Sequence, residues 1–188
     1  MNTEYYPWGG DFTACTPDGS VAVVILTLDY TPPETVAIYG SLKTENIGIE
    51  KIIANVISNP HIRYLFLCGE DIRGHRSGSS LLALHKNGID EQHKIIGAPG
   101  AIPYIENLDQ NALQRFQQQI EIVDLIGEHD IKKITTLIHQ YIAKTPQSFG
   151  EPYIAIHIKP EIQTSINDKR ALHSKITINY LGKVKKRG

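Results

Sequence analysis

The sequence predicts an α/β protein built on a mostly parallel sheet with helices on its faces, followed by a C-terminal β-hairpin. Three observations predict it. Val21-Ala22-Val23-Val24-Ile25-Leu26-Thr27-Leu28 is a continuous apolar run with the texture of a strand covered on both sides. Strand-like and helix-like segments then alternate as far as Lys144, the pattern of a parallel sheet with crossover helices. Beyond Pro146 the texture changes to residue-by-residue alternation, which fits an antiparallel pair.

Each element has its own signal. The first strand follows the turn-forming Pro17-Asp18-Gly19-Ser20, and a shorter apolar piece runs from Val36 to Tyr39. A helix is predicted from Asn46 to Asn59, because Ile49, Ile52, Ile53, Val56 and Ile57 share one face. Asn46 suits its N-cap, Glu50 complements the dipole in its first turn, and Asn59-Pro60 ends it. Tyr64 to Cys68 reads as the next core strand and opens into the glycine-rich loop from Gly69 to Gly78. A helix from Ser79 to Lys86 is stopped by Asn87-Gly88. Two more helices, Asp109 to Gln119 and Asp130 to Lys144, flank a strand from Ile120 to Leu125. Tyr153 to Ile158 and Lys175 to Tyr180 form the expected hairpin, joined by the polar stretch Glu161 to Arg170. The whole chain, 1–188, is thus expected to be one domain, with a core at 20–149 and an extension at 150–188.

Composition narrows the function classes. The 188 residues suit one sizeable core, and 41% hydrophobic with 21% charged residues is an ordinary globular balance. A formal charge of -1 offers no general attraction to nucleic acid or anionic membranes. Two cysteines, Cys15 and Cys68, read as reduced thiols and not a disulfide framework. No apolar run approaches the roughly 20 residues needed to span a bilayer, and the first residues lack a signal-peptide pattern. A soluble cytoplasmic protein is expected, without membrane insertion or nucleic-acid contact.

The loop after Cys68 is where chemistry is expected, since ligands of open α/β sheets bind outside the carboxyl ends of the strands. Its glycines allow close backbone approach, and Ser77, Ser79 and the following helix N-terminus could donate hydrogen bonds. Neither a Walker pattern nor G-x-G-x-x-G is present, which disfavours a nucleotide- or NAD-binding enzyme. His75-Arg76-Ser77-Gly78 has the form H-x-x-G, and a neutral imidazole on such a loop can ligate a metal while its other nitrogen is held. That pattern resembles the D-x-H-x-x-G signature of the common corrinoid-binding fold, except that Arg73 stands at the aspartate position. The carboxylate that would tune the ligand is therefore missing from its usual place.

Several ordered blocks resemble another corrinoid protein, the A subunit of tetrahydromethanopterin S-methyltransferase. They are the run from Lys43 to Lys51, the run from Asn55 to Tyr64, the G-H-x-x-G around His75, Leu84-His85-Lys86-Asn87-Gly88, Gly97 to Pro103, and Arg115 to Gln119. The resemblance spans about Ser20 to Phe149. It implies a Rossmann-like three-layer fold with the cofactor across the strand ends. It implies cobalamin or a related cobamide as prosthetic group, cycling between Co(I) and methyl-Co(III), with His75 as the axial cobalt ligand. Gly74, Arg76, Ser77 and Gly78 would shape the ligand loop. Further cofactor contacts are expected from Thr44, Glu45 and Asn46, and from Gly97, Ala98, Gly100, Ala101, Ile102 and Pro103. In that family methyl passes from methyl-tetrahydromethanopterin to coenzyme M, so methyl-donor and methyl-acceptor methyltransferase proteins are the implied partners, and the chain would not be active alone. Members in the membrane complex typically end in a transmembrane helix, whereas this chain ends in the strand-like pair and a basic tail. A cobalamin-binding or regulatory module without methyl transfer is the alternative expectation.

Plainer roles compete for other residues. His61 suits a turn, His85 suits packing better than support of a ligand, and Cys68 suits a buried thiol. Glu70 and Asp71 could orient His75 or solvate the loop, and capping explains Thr44, Glu45 and Asn46 about as well as cofactor contact. The aromatic start from Tyr5 to Trp8 is expected to pack onto the domain.

Overall fold

A computed structural model describes residues 5–156, 171–173, 176–178 and 184–186. The chain divides into two compact units, Met1–Ile158 and Lys159–Gly188. The first unit is an α/β structure with a five-stranded sheet. Its strands are β1 (Phe12–Ala14), β2 (Val21–Ile25), β3 (Ile38–Ser41), β4 (Tyr64–Gly69) and β5 (Glu121–Ile126), in the order β1-β3-β2-β4-β5. The pairs β3–β2, β2–β4 and β4–β5 are parallel, and β1 alone runs antiparallel, against β3.

Successive side chains of a strand point to opposite faces, so β2 feeds two cores at once. Ala22 and Val24 join a cluster with Ile49 and Ile53 of α1 (Ile47–Ser58), Leu81 and Leu84 of α2 (Ser77–Asn87), and Leu113 and Phe116 of α3 (Gln110–Gln119). Val21 and Val23 join Phe66 and Cys68 against Ile134 and Ile138 of α4 (Ile131–Ile142). The uninterrupted apolar texture of β2 is the consequence of this double coverage.

The helix ends follow their sequence signals. The Asn46 side chain accepts from the Ile47 N–H, Asp109 from Ala112, and Asp130 from Lys132 and Lys133. α2 starts two residues before the expected Ser79, because its cap comes from a distance. Asp71 accepts from the N–H groups of Gly78 (2.7 Å) and Ser79 (2.8 Å) and from the Ser79 hydroxyl (2.6 Å). Asp71 is thus spent on the helix, and Glu70 faces His129 at 3.2 Å, so neither orients His75. Replacing Asp71 by alanine is expected to lower stability by about 1 kcal/mol, read as a shift of the urea midpoint at unchanged slope.

The edge strand β1 is not among the predicted elements, having only three residues and one large apolar side chain. Upstream of it, the aromatic start packs as expected. The Tyr6 N–H donates to Ser58 Oγ, and Trp8 exchanges two hydrogen bonds with Asn55 on α1.

The second unit corrects the hairpin. Its strands β6 (Ala171–His173), β7 (Ile176–Ile178) and β8 (Val184–Lys186) form a three-stranded antiparallel sheet in that order. β7 therefore pairs with its own neighbours and not with Tyr153–Ile158. Residues 153–156 form no strand; the Tyr153 N–H donates to Ile57 O, and Tyr153, Ala155 and Ile156 pack on the first unit's core. The rest of that expected strand, the 161–170 linker, and Lys183 and Arg187 of the basic tail lie outside the described residues. No helix among the described residues is long and apolar enough to cross a membrane.

Candidate functional site

The carboxyl ends of β3 and β4 bring two sequence-distant segments together. The chain leaves β4 at Gly69 and turns through Gly74 (φ +89°) and Arg76 (φ 43°) before entering α2. Left-handed backbone is natural for Gly74 but costs an arginine about 1–2 kcal/mol, a strain typical of ligand loops. Between them His75 stands out from the surface, with its side chain 53% exposed.

His75 is not free to swing. Its Nδ1 lies 2.8 Å from Oε2 of Glu45, which sits on the segment between β3 and α1 and is almost wholly buried. The other oxygen, Oε1, accepts from the Ile102 N–H at 2.9 Å. Burial pushes the Glu45 carboxyl up. The hydrogen bonds from Ile102, from its own backbone N–H and from His75 outweigh that and hold it below the ordinary carboxylate value. Glu45 is therefore an ionised acceptor, and Nδ1 must carry the proton it accepts. In the neutral ring the lone pair is then on Nε2, which has no hydrogen-bond partner among the described residues.

A third segment closes against this pair. Gly100 sits so close that a Cβ there would lie 2.5 Å from the His75 carbonyl oxygen, 2.7 Å from Glu45 Cγ and 2.8 Å from Ser80 Oγ. Only a residue without a side chain allows the approach. The segment is fixed at its far end by Glu50, buried on α1. Its carboxylate accepts from the N–H groups of Glu106 (2.5 Å) and Asn107 (2.7 Å) and from the Asn107 amide (2.7 Å). Ile95 N–H to Pro103 O and Ile105 N–H to His93 O brace the middle.

Of the expected site residues, Glu45, His75, Gly100 and Ile102 thus meet directly, and Ile102 holds its side chain 59% exposed beside them. Thr44 and Asn46 serve the start of α1, accepting from the N–H groups of Gly48 and Ile47. Ser77 and Gly78 are buried in the first turn of α2; a Cβ at Gly78 would meet Leu26 at 2.8 Å. Ala101 is exposed, Ala98 half-buried and Pro103 buried, while Gly97 (φ +75°) turns the loop. His85 bonds the Ile120 carbonyl through Nε2 and meets Phe116 edge-on, a packing role. His61 lies in the turn after α1, near Asp18. Burial pushes the Cys68 thiol up to about 12, which leaves it inert.

Two carboxylates do more than the sequence discloses. There Glu45 is one of several acceptable caps, and Glu50 a dipole partner. Glu50 shares a helix face with Ile53 and Ile57, and a carboxylate on a buried stripe has to be hydrogen-bonded.

Residues 2–166 match the family model described as the A subunit of tetrahydromethanopterin S-methyltransferase. The chain belongs to this family. The second of two tetrahydromethanopterin S-methyltransferase A subunits of Methanobrevibacter ruminantium is 46% identical over 156 residues, covering 81% of each chain. The first A subunit of the same organism is 47% identical over 154 residues, 80% of this chain but 63% of the relative. A Methanosarcina barkeri protein, provisionally named the A subunit of methyltransferase Mtx, is 44% identical over 155 residues, covering 82% and 79%. Membership in the A-subunit family makes this chain a methyltransferase subunit.

Proposed function

We propose that the chain is the corrinoid carrier of its methyltransferase, holding cobalamin or a related cobamide with His75 as axial cobalt ligand. One observation carries this reading: Nε2 of His75 is free of hydrogen bonds to the described residues, on an exposed ring whose Nδ1 is fixed by the buried Glu45 carboxylate. Carboxylate–histidine pairs of this kind fix the tautomer and raise the basicity of a metal ligand. No group of three or more His, Cys, Asp or Glu among the described residues could hold a metal ion. A single imidazole suits a metal that brings its remaining ligands in its own macrocycle, as a corrinoid does.

A bound corrinoid supplies a cobalt centre that takes up and gives up a methyl group. The chain's residues bind and orient. His75 offers Nε2 and Glu45 keeps the proton on Nδ1. Gly74, Arg76, Ser77 and Gly78 shape the loop, and the Gly97 to Pro103 segment makes the opposite wall. The parallel strand order and the place of the site at the strand ends support a Rossmann-like assignment. Donor and acceptor methyltransferase proteins are the partners this role requires, and the cytoplasm is its natural setting.

The test is the visible spectrum of the protein after incubation with hydroxocobalamin and removal of unbound cofactor. About one corrinoid per chain is expected, with axial-ligand bands that change in His75→Ala. A folded wild type that retains none would overturn the reading. Retention without methyl acceptance from any donor protein would instead indicate the binding or regulatory module.

A further inference from the structure

Helix α1 carries a second stripe beside the one that holds Ile49, Ile53 and Ile57. Gly48, Lys51, Ile52, Asn55 and Val56, three and four residues apart, line a cavity of about 90 Å³ between the helix and the edge strands β3 and β1. Its walls are mostly apolar, from Phe12, Val24, Ile38, Ile52, Val56 and Leu65. Asn55 adds no open polar group, because its amide accepts from the Trp8 N–H at 2.9 Å and donates to the Trp8 carbonyl at 2.7 Å. Well-packed cores keep few voids larger than a water molecule, so an apolar space of this size stands out. Lys51 is the exception on the stripe. It is half-buried, and its stem runs beside the N-terminal segment: a Cβ on Gly10 would stand 3.9 Å from Lys51 Cδ. No carboxylate among the described residues pairs with it. Asp11, the acid that lines the cavity, is already engaged by the Ser41 hydroxyl at 3.3 Å and the Lys43 ammonium at 3.4 Å.

We infer that this cavity binds a short-chain monocarboxylate, its alkyl chain among the apolar walls and its carboxylate against Lys51. Size sets the chain. An apolar cavity of about 150 Å³ takes up benzene, so this one suits a chain of about four carbons and is too small for a polypeptide segment. Charge sets the headgroup, since an anion answers the unpaired ammonium of Lys51 whereas a cation meets like charge. Gly9 and Gly10, both exposed, give the N-terminal segment a pliable joint between its anchor at Trp8 and β1, and entry is by that joint. The site does not depend on the corrinoid reading, because none of its lining comes from the His75 loop or from Gly97 to Pro103.

The test is a methyl-detected NMR titration of the full chain, read at Ile38, Ile52 and Val56. Butyrate is expected to shift these methyls saturably, with a dissociation constant on the order of 1 mM. Acetate is two methylenes shorter and should bind about tenfold more weakly. n-Butanol carries the chain without the charge and separates the two contributions. Lys51→Met keeps an unbranched apolar stem; it should weaken butyrate about fivefold, the scale of one half-exposed ion pair, and change n-butanol by less than about twofold. Three outcomes overturn the site: no response of the three methyls to butyrate in the folded protein, acetate binding as tightly as butyrate, or a Lys51→Met variant in which butyrate and n-butanol are affected equally or not at all.

Discussion

Glu45→Gln is expected to weaken cobalamin retention by about 10–100-fold, the usual cost of losing the partner behind a metal-bound histidine. The substitution keeps the shape of the side chain but removes its charge. The amide oxygen can still accept from one donor, whereas the carboxylate now serves both His75 and the Ile102 N–H. The imidazole becomes less basic at Nε2 and its ring less firmly placed, so the axial-ligand bands should weaken without vanishing, unlike those of His75→Ala. Stability carries a second signature. The folded value of Glu45 lies below its ordinary value. The ionised form is therefore favoured by folding. Its contribution is fully present above the ordinary value and is lost as pH falls through the lowered folded value. The stability gap between wild type and Glu45→Gln should accordingly narrow as pH is taken from 6 down towards 3, measured by urea midpoints. A constant gap across that range would mean that the carboxylate is not ionised by its partners, and that the pair does not act as described.

The parts of this molecule that are legible in the sequence are those whose causes are local. β2 and β4 are read from runs of apolar residues, and α1 from an apolar stripe with Asn46 as its cap. His75 is legible because one histidine on a glycine-flanked loop at a strand end is a local pattern. What supports it is not local. Glu45 lies 30 positions upstream and reaches His75 only because parallel pairing brings the ends of β3 and β4 to one edge of the sheet. The carboxylate missing from position 73 is thus supplied from another strand end, in space and not in sequence. Asp71 shows the reverse. It sits four residues before His75 and serves the N-terminus of α2 instead. The hairpin pairing is not legible for a related reason. Alternation establishes that a segment can be a strand, while its partner is fixed by turns and register that alternation does not encode. β7 finds β6 and β8 close by in sequence.

Gly100→Ala is expected to lower stability by about 1–3 kcal/mol and to reduce cobalamin retention together with it. The added methyl would meet three neighbours at 2.5–2.8 Å, and none yields freely. The His75 oxygen is backbone, Glu45 is held through both carboxylate oxygens, and Ser80 is buried in α2. The loop must therefore retreat, and the Ile102 N–H leaves Glu45 as it goes, so a buried carboxylate loses one of its donors. Gly74→Ala makes the matched control. Nothing lies within 4 Å of its added Cβ, but its φ of +89° is unfavourable for any side chain. That variant should lose about 1 kcal/mol through the backbone alone. Hydrogen exchange separates the two causes. In Gly100→Ala the Ile102 amide should exchange faster than in wild type, because its acceptor has been pulled away. In Gly74→Ala it should stay protected. An unchanged Ile102 amide in the Gly100 variant would show that the neighbours give way to the methyl without the loop retreating, and that the loop's hold on Glu45 does not depend on the missing side chain.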